Sequence, residues 1–126
     1  MNERSINSGC MPIDFEQVGR PRNSCTMRAL SLCLGMPMLE CISYAERFGY
    51  VRGAGMADTR IMPMLRSLGL EVVLTKDTYA QFVAEHPKGT YYVVDRDHAS
   101  CIIDGKVLDC VRIGKGKRLR YFAKVD

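Results

Sequence analysis

The chain has 126 residues, of which 47% are hydrophobic and 25% charged, and its formal net charge is +4. These values are typical of a soluble globular protein with one hydrophobic core, so we expect a single domain over residues 1–126. No apolar run approaches the length of a membrane span, and the polar start at residues 1–5 is not followed by an apolar signal segment. We therefore expect a cytoplasmic protein with no membrane partner.

Residues 1–23 lack a periodic pattern and predict an irregular N-terminal lead-in. Helices are predicted next, each ended by glycine or proline, at 26–34, 36–48, 58–68 and 78–85. A short strand is predicted at 71–74, and further strands at 90–94, 98–103, 106–113 and 119–125. This order predicts an α+β domain in which N-terminal helices pack on a C-terminal antiparallel sheet, with its last strands arranged as a meander.

The six cysteines lie at positions 10, 25, 33, 41, 101 and 110. In a cytoplasmic protein we expect most of them to be free thiols, buried as small hydrophobic side chains. No pair has the CxxC spacing that is typical of zinc and redox sites. We therefore expect no bound metal and no cofactor.

A β-hairpin is the strongest local signal and occupies residues 98–109. Asp104 and Gly105 stand between two apolar runs, and this dipeptide favours a type I′ turn because both central residues take a positive φ. With that turn, Ile103 pairs with Lys106. The turn therefore explains Asp104, which needs no catalytic role.

The same register predicts which hairpin residues share a face. Ser100 stands opposite Asp109, and His98 becomes a diagonal neighbour of Asp109, about 7 Å away at the backbone and within side-chain reach. Cys101 and Cys110 are expected on the other face, away from His98. A histidine held by a carboxylate is half of a catalytic triad.

Cys25 is the candidate nucleophile. It stands in the first turn of the first predicted helix, where the helix N-terminus carries roughly half a positive charge. That field stabilises a thiolate and lowers the pKa of the thiol. Cys33 and Cys41 fall inside predicted helices and are interpreted as structural. A thiol at a helix start, followed later by His98 and Asp109 on neighbouring strands, meets the requirements of thiol acyl transfer.

Two segments resemble the papain-like cysteine peptidase superfamily, namely residues 25–30 (CTMRAL) and residues 98–109 (HASCIIDGKVLD). They are most similar to its small members, the double-glycine leader peptidases and similar proteins of bacteriophages. The resemblance implies that Cys25 is the nucleophile, His98 the general base and Asp109 the acid that orients His98. It also implies a phage-encoded thiol hydrolase that cleaves a peptide, isopeptide or related amide bond of a peptide or protein substrate, in the host cytoplasm or on the virion.

The oxyanion donor departs from the family pattern. Papain-like enzymes usually carry a glutamine shortly before the cysteine, but Gly19 occupies that place and Gln17 lies further upstream. We expect Asn23 or Gln17, together with the backbone N–H of Cys25, to receive the oxyanion. Because of this departure, a second hypothesis is a non-catalytic viral protein of the same fold, which serves as a virion component or binds a host protein.

Three further features were assigned no chemistry. Asp95 and Asp97 flank the approach to His98 and are interpreted as rim residues, and residues 53–56 (GAGM) are hypothesised to form a lid beside the cysteine. Positive charge is concentrated near the C-terminus, in Arg112, Lys115, Lys117, Arg118, Arg120 and Lys124. Because few aromatic residues accompany it, we favour a solubilising edge strand over a nucleic-acid partner.

Overall fold

The computed structural model describes residues 7–9, 25–51, 55–96, 98–108 and 114–126. Within them the elements are, in chain order, β1 (Asn7–Gly9), α1 (Cys25–Leu34), α2 (Met38–Glu46), α3 (Asp58–Ser67), β2 (Val72–Leu74), α4 (Tyr79–Glu85), β3 (Thr90–Asp95), β4 (Ala99–Ile103), β5 (Lys106–Leu108) and β6 (Leu119–Lys124). Helices combined with a largely antiparallel sheet confirm the α+β class.

The strand order of the sheet is β1-β5-β4-β3-β6-β2. The last five strands in this order pair antiparallel, whereas β1 joins β5 in parallel. The sheet is therefore not the meander that we predicted, since β6 pairs with β3 instead of β5. In a meander, the last strand would pair with the outer edge of β5. In this structure β1, which lies in the segment expected to be irregular, pairs with that edge. The prediction of a basic edge strand is also wrong, because β6 lies inside the sheet between β3 and β2.

Helices cover both faces of this sheet. α1, α2 and α3 pack against one face to form a first core, and α4 packs against the other to form a second core. Along β4, Cys101 belongs to the first core and Ile102 to the second, as the alternation of side chains in a strand requires. Among the described residues no single helix is long and apolar enough to cross a membrane, and α1 and α2 reach that length only together, across a bend of 120°.

The hairpin of β4 and β5 has the predicted turn and register. Asp104 has a φ of 49° and Gly105 a φ of 76°, which is the type I′ geometry. The carboxylate of Asp104 accepts a hydrogen bond from the backbone N–H of Gly89 at 2.9 Å, so its role is structural. The paired residues are Ile103 with Lys106, Ile102 with Val107, and Cys101 with Leu108.

α4 begins at a capping box. The Thr78 hydroxyl accepts from the backbone N–H of Gln81, and the Gln81 side chain accepts from the backbone N–H of Thr78. At the other end, His86 stacks on Phe82, with ring centroids 4.2 Å apart, and contacts the Phe82 carbonyl oxygen through Nδ1 at 3.1 Å. His86 is therefore a residue of the helix end, as expected.

Candidate active site

The structure brings together two of the predicted site residues, Cys25 and His98. Cys25 is the first residue of α1 and is partly buried where that helix packs against β3 and β4. Its thiol forms hydrogen bonds with the His98 side chain and the backbone N–H of Ala99, the first residue of β4. The predicted nucleophile and the predicted base are thus in direct contact.

The surroundings of Cys25 favour the thiolate. Burial raises the pKa of the Cys25 thiol, but the hydrogen bond with His98, the N–H of Ala99, the charge of His98 and the Thr26 side chain together lower it below its ordinary value. The positive end of the α1 dipole acts in the same direction. Because the thiolate is the reactive form of cysteine, this site is suited to nucleophilic attack.

Two of the remaining described cysteines are held as neutral thiols. Burial, and then the neighbouring Cys101 thiol, raise the pKa of Cys33 well above its ordinary value. Burial and the charge of Glu40 raise the pKa of Cys41 to about 12. All four described cysteines, which are Cys25, Cys33, Cys41 and Cys101, are free thiols.

We expected Cys101 on the hairpin face that points away from His98, and this prediction is wrong. Cys101 does not lie on a face turned away from the nucleophile, because it packs in the first core, on the α1 side of the sheet. His98 precedes β4 instead of beginning it, so the alternation of that strand does not fix its direction, and its side chain reaches Cys25 on the same side. Cys101 is unsuitable because it is fully buried next to Cys33.

Asp95 is a feature of the site to which the sequence analysis assigned no role. This last residue of β3 is 1% exposed. Its carboxylate accepts a hydrogen bond from the Tyr79 hydroxyl at 3.1 Å and forms an ion pair with Lys117 Nζ at 3.7 Å. An aspartate directly after the apolar run 91–94 was the available signal, since a carboxylate in a buried strand needs partners.

A second polar cluster surrounds Asp58, the first residue of α3. Its carboxylate accepts a hydrogen bond from the Tyr121 hydroxyl at 2.8 Å and pairs with the Arg120 guanidinium at 2.8 Å. The pairing of β6 with β3 shifts by one residue at Arg120, between Leu119 and Tyr121. A β-bulge changes the direction in which side chains point. At this bulge, the side chain of Arg120 contacts Asp58 of α3.

Cys25 and His98 border a pocket of about 80 Å³. Met56, Ile61 and Val94 form apolar parts of the wall, and the charged residues in the described part of the lining are Asp58, Asp95 and Arg96. The presence of Met56 places the end of the GAGM segment beside the cysteine, where we hypothesised a lid.

Three predicted site residues, Asp109, Asn23 and Gln17, lie outside the described residues. The orienting acid and the side-chain oxyanion donor therefore stay predictions. Cys10 and Cys110 also lie outside this part of the chain. Among the described residues, no three His, Cys, Asp or Glu side chains are arranged to hold a metal ion.

Several residues of the basic C-terminal segment are used inside the fold. Lys117 pairs with Asp95, Arg120 pairs with Asp58, and Arg118 donates to the Lys76 carbonyl oxygen at 2.8 Å. These contacts give part of the positive charge a structural role.

No protein-family model, curated protein or solved structure matches the chain. The functional proposal therefore depends on the geometry and electrostatics of the site, together with the motifs at residues 25–30 and 98–109.

Proposed function

We propose that the protein is a papain-like thiol hydrolase that cleaves a peptide, isopeptide or related amide bond. The observation that carries this proposal is the contact between Cys25, at the start of α1, and His98, which lowers the pKa of the thiol although burial opposes it. A lone buried cysteine has its pKa raised by the apolar surroundings, as Cys33 and Cys41 do.

Acylation begins with the thiolate of Cys25 and the imidazolium of His98. The sulfur attacks the carbonyl carbon of the substrate, a C–S bond forms, and the π electron pair moves to the carbonyl oxygen. When the carbonyl re-forms, the C–N bond breaks and His98 gives its proton to the leaving nitrogen. The amine leaves, and the acyl group stays on Cys25 as a thioester.

Deacylation uses the same two side chains. The neutral imidazole of His98 takes a proton from a water molecule, whose oxygen attacks the thioester carbon. The C–S bond then breaks, the carboxylic acid leaves, and the thiolate–imidazolium pair is restored. No redox partner or metal ion takes part in either step.

In this proposal Asp109 orients His98, and Asn23 or Gln17 stabilises the oxyanion together with the backbone N–H of Cys25. The oxyanion donors decide between this function and a non-catalytic protein of the same fold. Losing one such donor costs on the order of a hundredfold or more in rate.

Cleavage of a peptide library derived from a proteome, followed by mass spectrometry of the new termini, tests the proposal. We expect the wild-type protein to cut a defined set of bonds, Cys25→Ala and His98→Gln to cut none of them, and Asp109→Asn to be slower by at least about a hundredfold. Cleavage that persists in Cys25→Ala contradicts the proposal. A wild-type protein whose Cys25 reacts as a thiolate, yet cuts no bond in the library, favours the non-catalytic alternative.

A further inference from the structure

We propose that Arg96 makes the Cys25 pocket a binding site for a negatively charged group, so that the substrate carries a carboxylate close to the bond that is cleaved. This inference rests on the proposed function and names a substrate class for it. The relevant carboxylate is an acidic side chain or a terminal carboxyl group, and both have the same chemistry.

Among the described residues, the acidic side chains of the pocket lining are Asp58 and Asp95, and each has a cationic partner. Asp58 is paired with Arg120 at 2.8 Å and also accepts a hydrogen bond from Tyr121. Asp95 is paired with Lys117 at 3.7 Å. Neither carboxylate therefore presents an uncompensated negative charge to a substrate, although both belong to the lining.

Arg96, unlike Asp58 and Asp95, is a charged residue of the lining without an ion-pair partner among the described residues. It is exposed, it belongs to the pocket lining, and it stands in the connection between β3 and β4, two residues before His98. Its guanidinium stays charged at any relevant pH and presents a planar fork of donors that matches a carboxylate. The pocket wall therefore carries a positive charge that a substrate carboxylate can pair with.

The two ends of the connection that carries Arg96 are held together by a backbone hydrogen bond. The backbone N–H of Asp95 donates to the His98 carbonyl oxygen at 2.9 Å, and the Asp95 side chain is anchored in the buried region. Arg96 lines the same pocket as Cys25 and stands two residues before His98, so we expect a group that binds Arg96 to lie close to the Cys25 sulfur. Because Arg96 is exposed, we expect a modest effect, of about twofold to fivefold.

Two alkylating reagents of similar size test this without a known substrate. Iodoacetate delivers a carboxylate to the Cys25 sulfur, and iodoacetamide delivers a neutral amide. The quantity to measure is the ratio of their rate constants at Cys25, with the modified residue located by mass spectrometry. We expect this ratio to fall about twofold to fivefold in Arg96→Gln, to fall further in Arg96→Glu, and to become smaller in the wild type as salt is added.

Two further variants complete the design. Arg66→Gln removes an exposed arginine of α3 that does not line the pocket, and it is expected to leave the ratio unchanged. Asp97→Asn is included because Asp97 follows Arg96 in the chain and lies outside the described residues. The ratio is expected to rise or stay constant in this variant.

The outcomes separate the two proposals. A ratio that is unchanged in both Arg96 variants, or that falls equally in Arg66→Gln, overturns this inference and leaves the chemistry of Cys25 intact. If Cys25 reacts with both reagents no faster than the buried Cys33, the proposed function is overturned, and this inference with it.

Discussion

The backbone N–H of Asp95 donates a hydrogen bond to the carbonyl oxygen of His98 at 2.9 Å and so closes the connection between β3 and β4. The same Asp95 anchors its carboxylate to Tyr79 and Lys117 inside the protein. The backbone position of the candidate base is therefore tied to a buried strand end. A catalytic side chain supported in this way is held more accurately than one on a free loop.

The first prediction concerns this anchor. Asp95→Ala removes the carboxylate that accepts a hydrogen bond from the Tyr79 hydroxyl and pairs with the Lys117 ammonium, so we expect the free energy of unfolding to fall by about 2–4 kcal/mol. Urea denaturation measures this loss. Asp95→Asn keeps an oxygen acceptor for Tyr79 and is expected to lose less. Glu85→Ala, at an exposed position of α4, is the control and should change the stability by less than about 0.5 kcal/mol. An equally small change in Asp95→Ala contradicts the anchoring role.

The second prediction concerns the hairpin turn. Gly105 has a φ of +76°, and an added Cβ meets its nearest neighbour at 3.8 Å, an ordinary contact. The cost of Gly105→Ala therefore comes from the backbone, and we expect a loss of about 1–2 kcal/mol in urea denaturation. Gly114 is the matched control, because it has no positive φ and open space around its Cα. If both alanine variants are equally stable, the type I′ turn is not the source of the register.

The third prediction concerns the capping box of α4. Thr78→Ala removes the acceptor for the Gln81 N–H, and we expect the free energy of unfolding to fall by about 1 kcal/mol. Thr59→Ala, at an exposed position inside α3, removes a hydroxyl without a cap and should be neutral or slightly stabilising. Thermal unfolding of the two variants side by side tests the difference, and equal losses argue against the cap.

A fourth prediction follows from the raised pKa values. Burial keeps Cys33 protonated, and burial with the charge of Glu40 raises the pKa of Cys41 to about 12, so both thiols stay protonated at pH 8. We expect iodoacetamide to modify these two cysteines only after the protein is unfolded in urea, where their pKa values return to those of an ordinary thiol. Labelling of either one in the native protein at a rate comparable to Cys25 contradicts the assignment of Cys25 as the activated thiol.

The parts of the structure that the sequence predicted correctly depend on local chemistry. Asp104 and Gly105 fix a type I′ turn, and a two-residue turn then determines the pairing of β4 with β5. The helix that begins at Cys25 is likewise a local feature, because it ends next to Gly35, whose positive φ of 65° terminates the helix. Neither requires knowledge of distant contacts.

The parts that the sequence did not predict depend on distant contacts. The pairing of β6 with β3 and the bulge at Arg120 follow from which strand edges are free, and local patterns do not encode this. The side-chain direction of His98 was misjudged for a related reason. It was placed inside a strand and given that strand's alternation, whereas it lies just before β4.

The site itself was predictable in part. Cys25 and His98 were predicted to act together because of their residue types and their positions at a helix start and a strand start. The structure brings the two side chains into contact. Asp95 was interpreted only as a rim residue, although it directly follows an apolar strand, where a buried carboxylate needs partners. Asp58 was recognised as a helix-start residue, but its contact with Tyr121 and Arg120 depends on tertiary packing alone.

We propose that His98 activates Cys25, and the pH dependence of iodoacetamide modification at Cys25 measures this activation. The measurement compares the wild type with His98→Gln and uses Cys25→Ser to confirm the modified site. Because the folded protein lowers the pKa of this thiol, we predict that the wild-type rate persists below the pH at which an ordinary thiol loses its reactivity. His98→Gln removes the charge of the imidazolium and should move the profile to higher pH. A wild-type profile like that of an ordinary thiol, or one that His98→Gln leaves in place, would show that His98 does not activate Cys25.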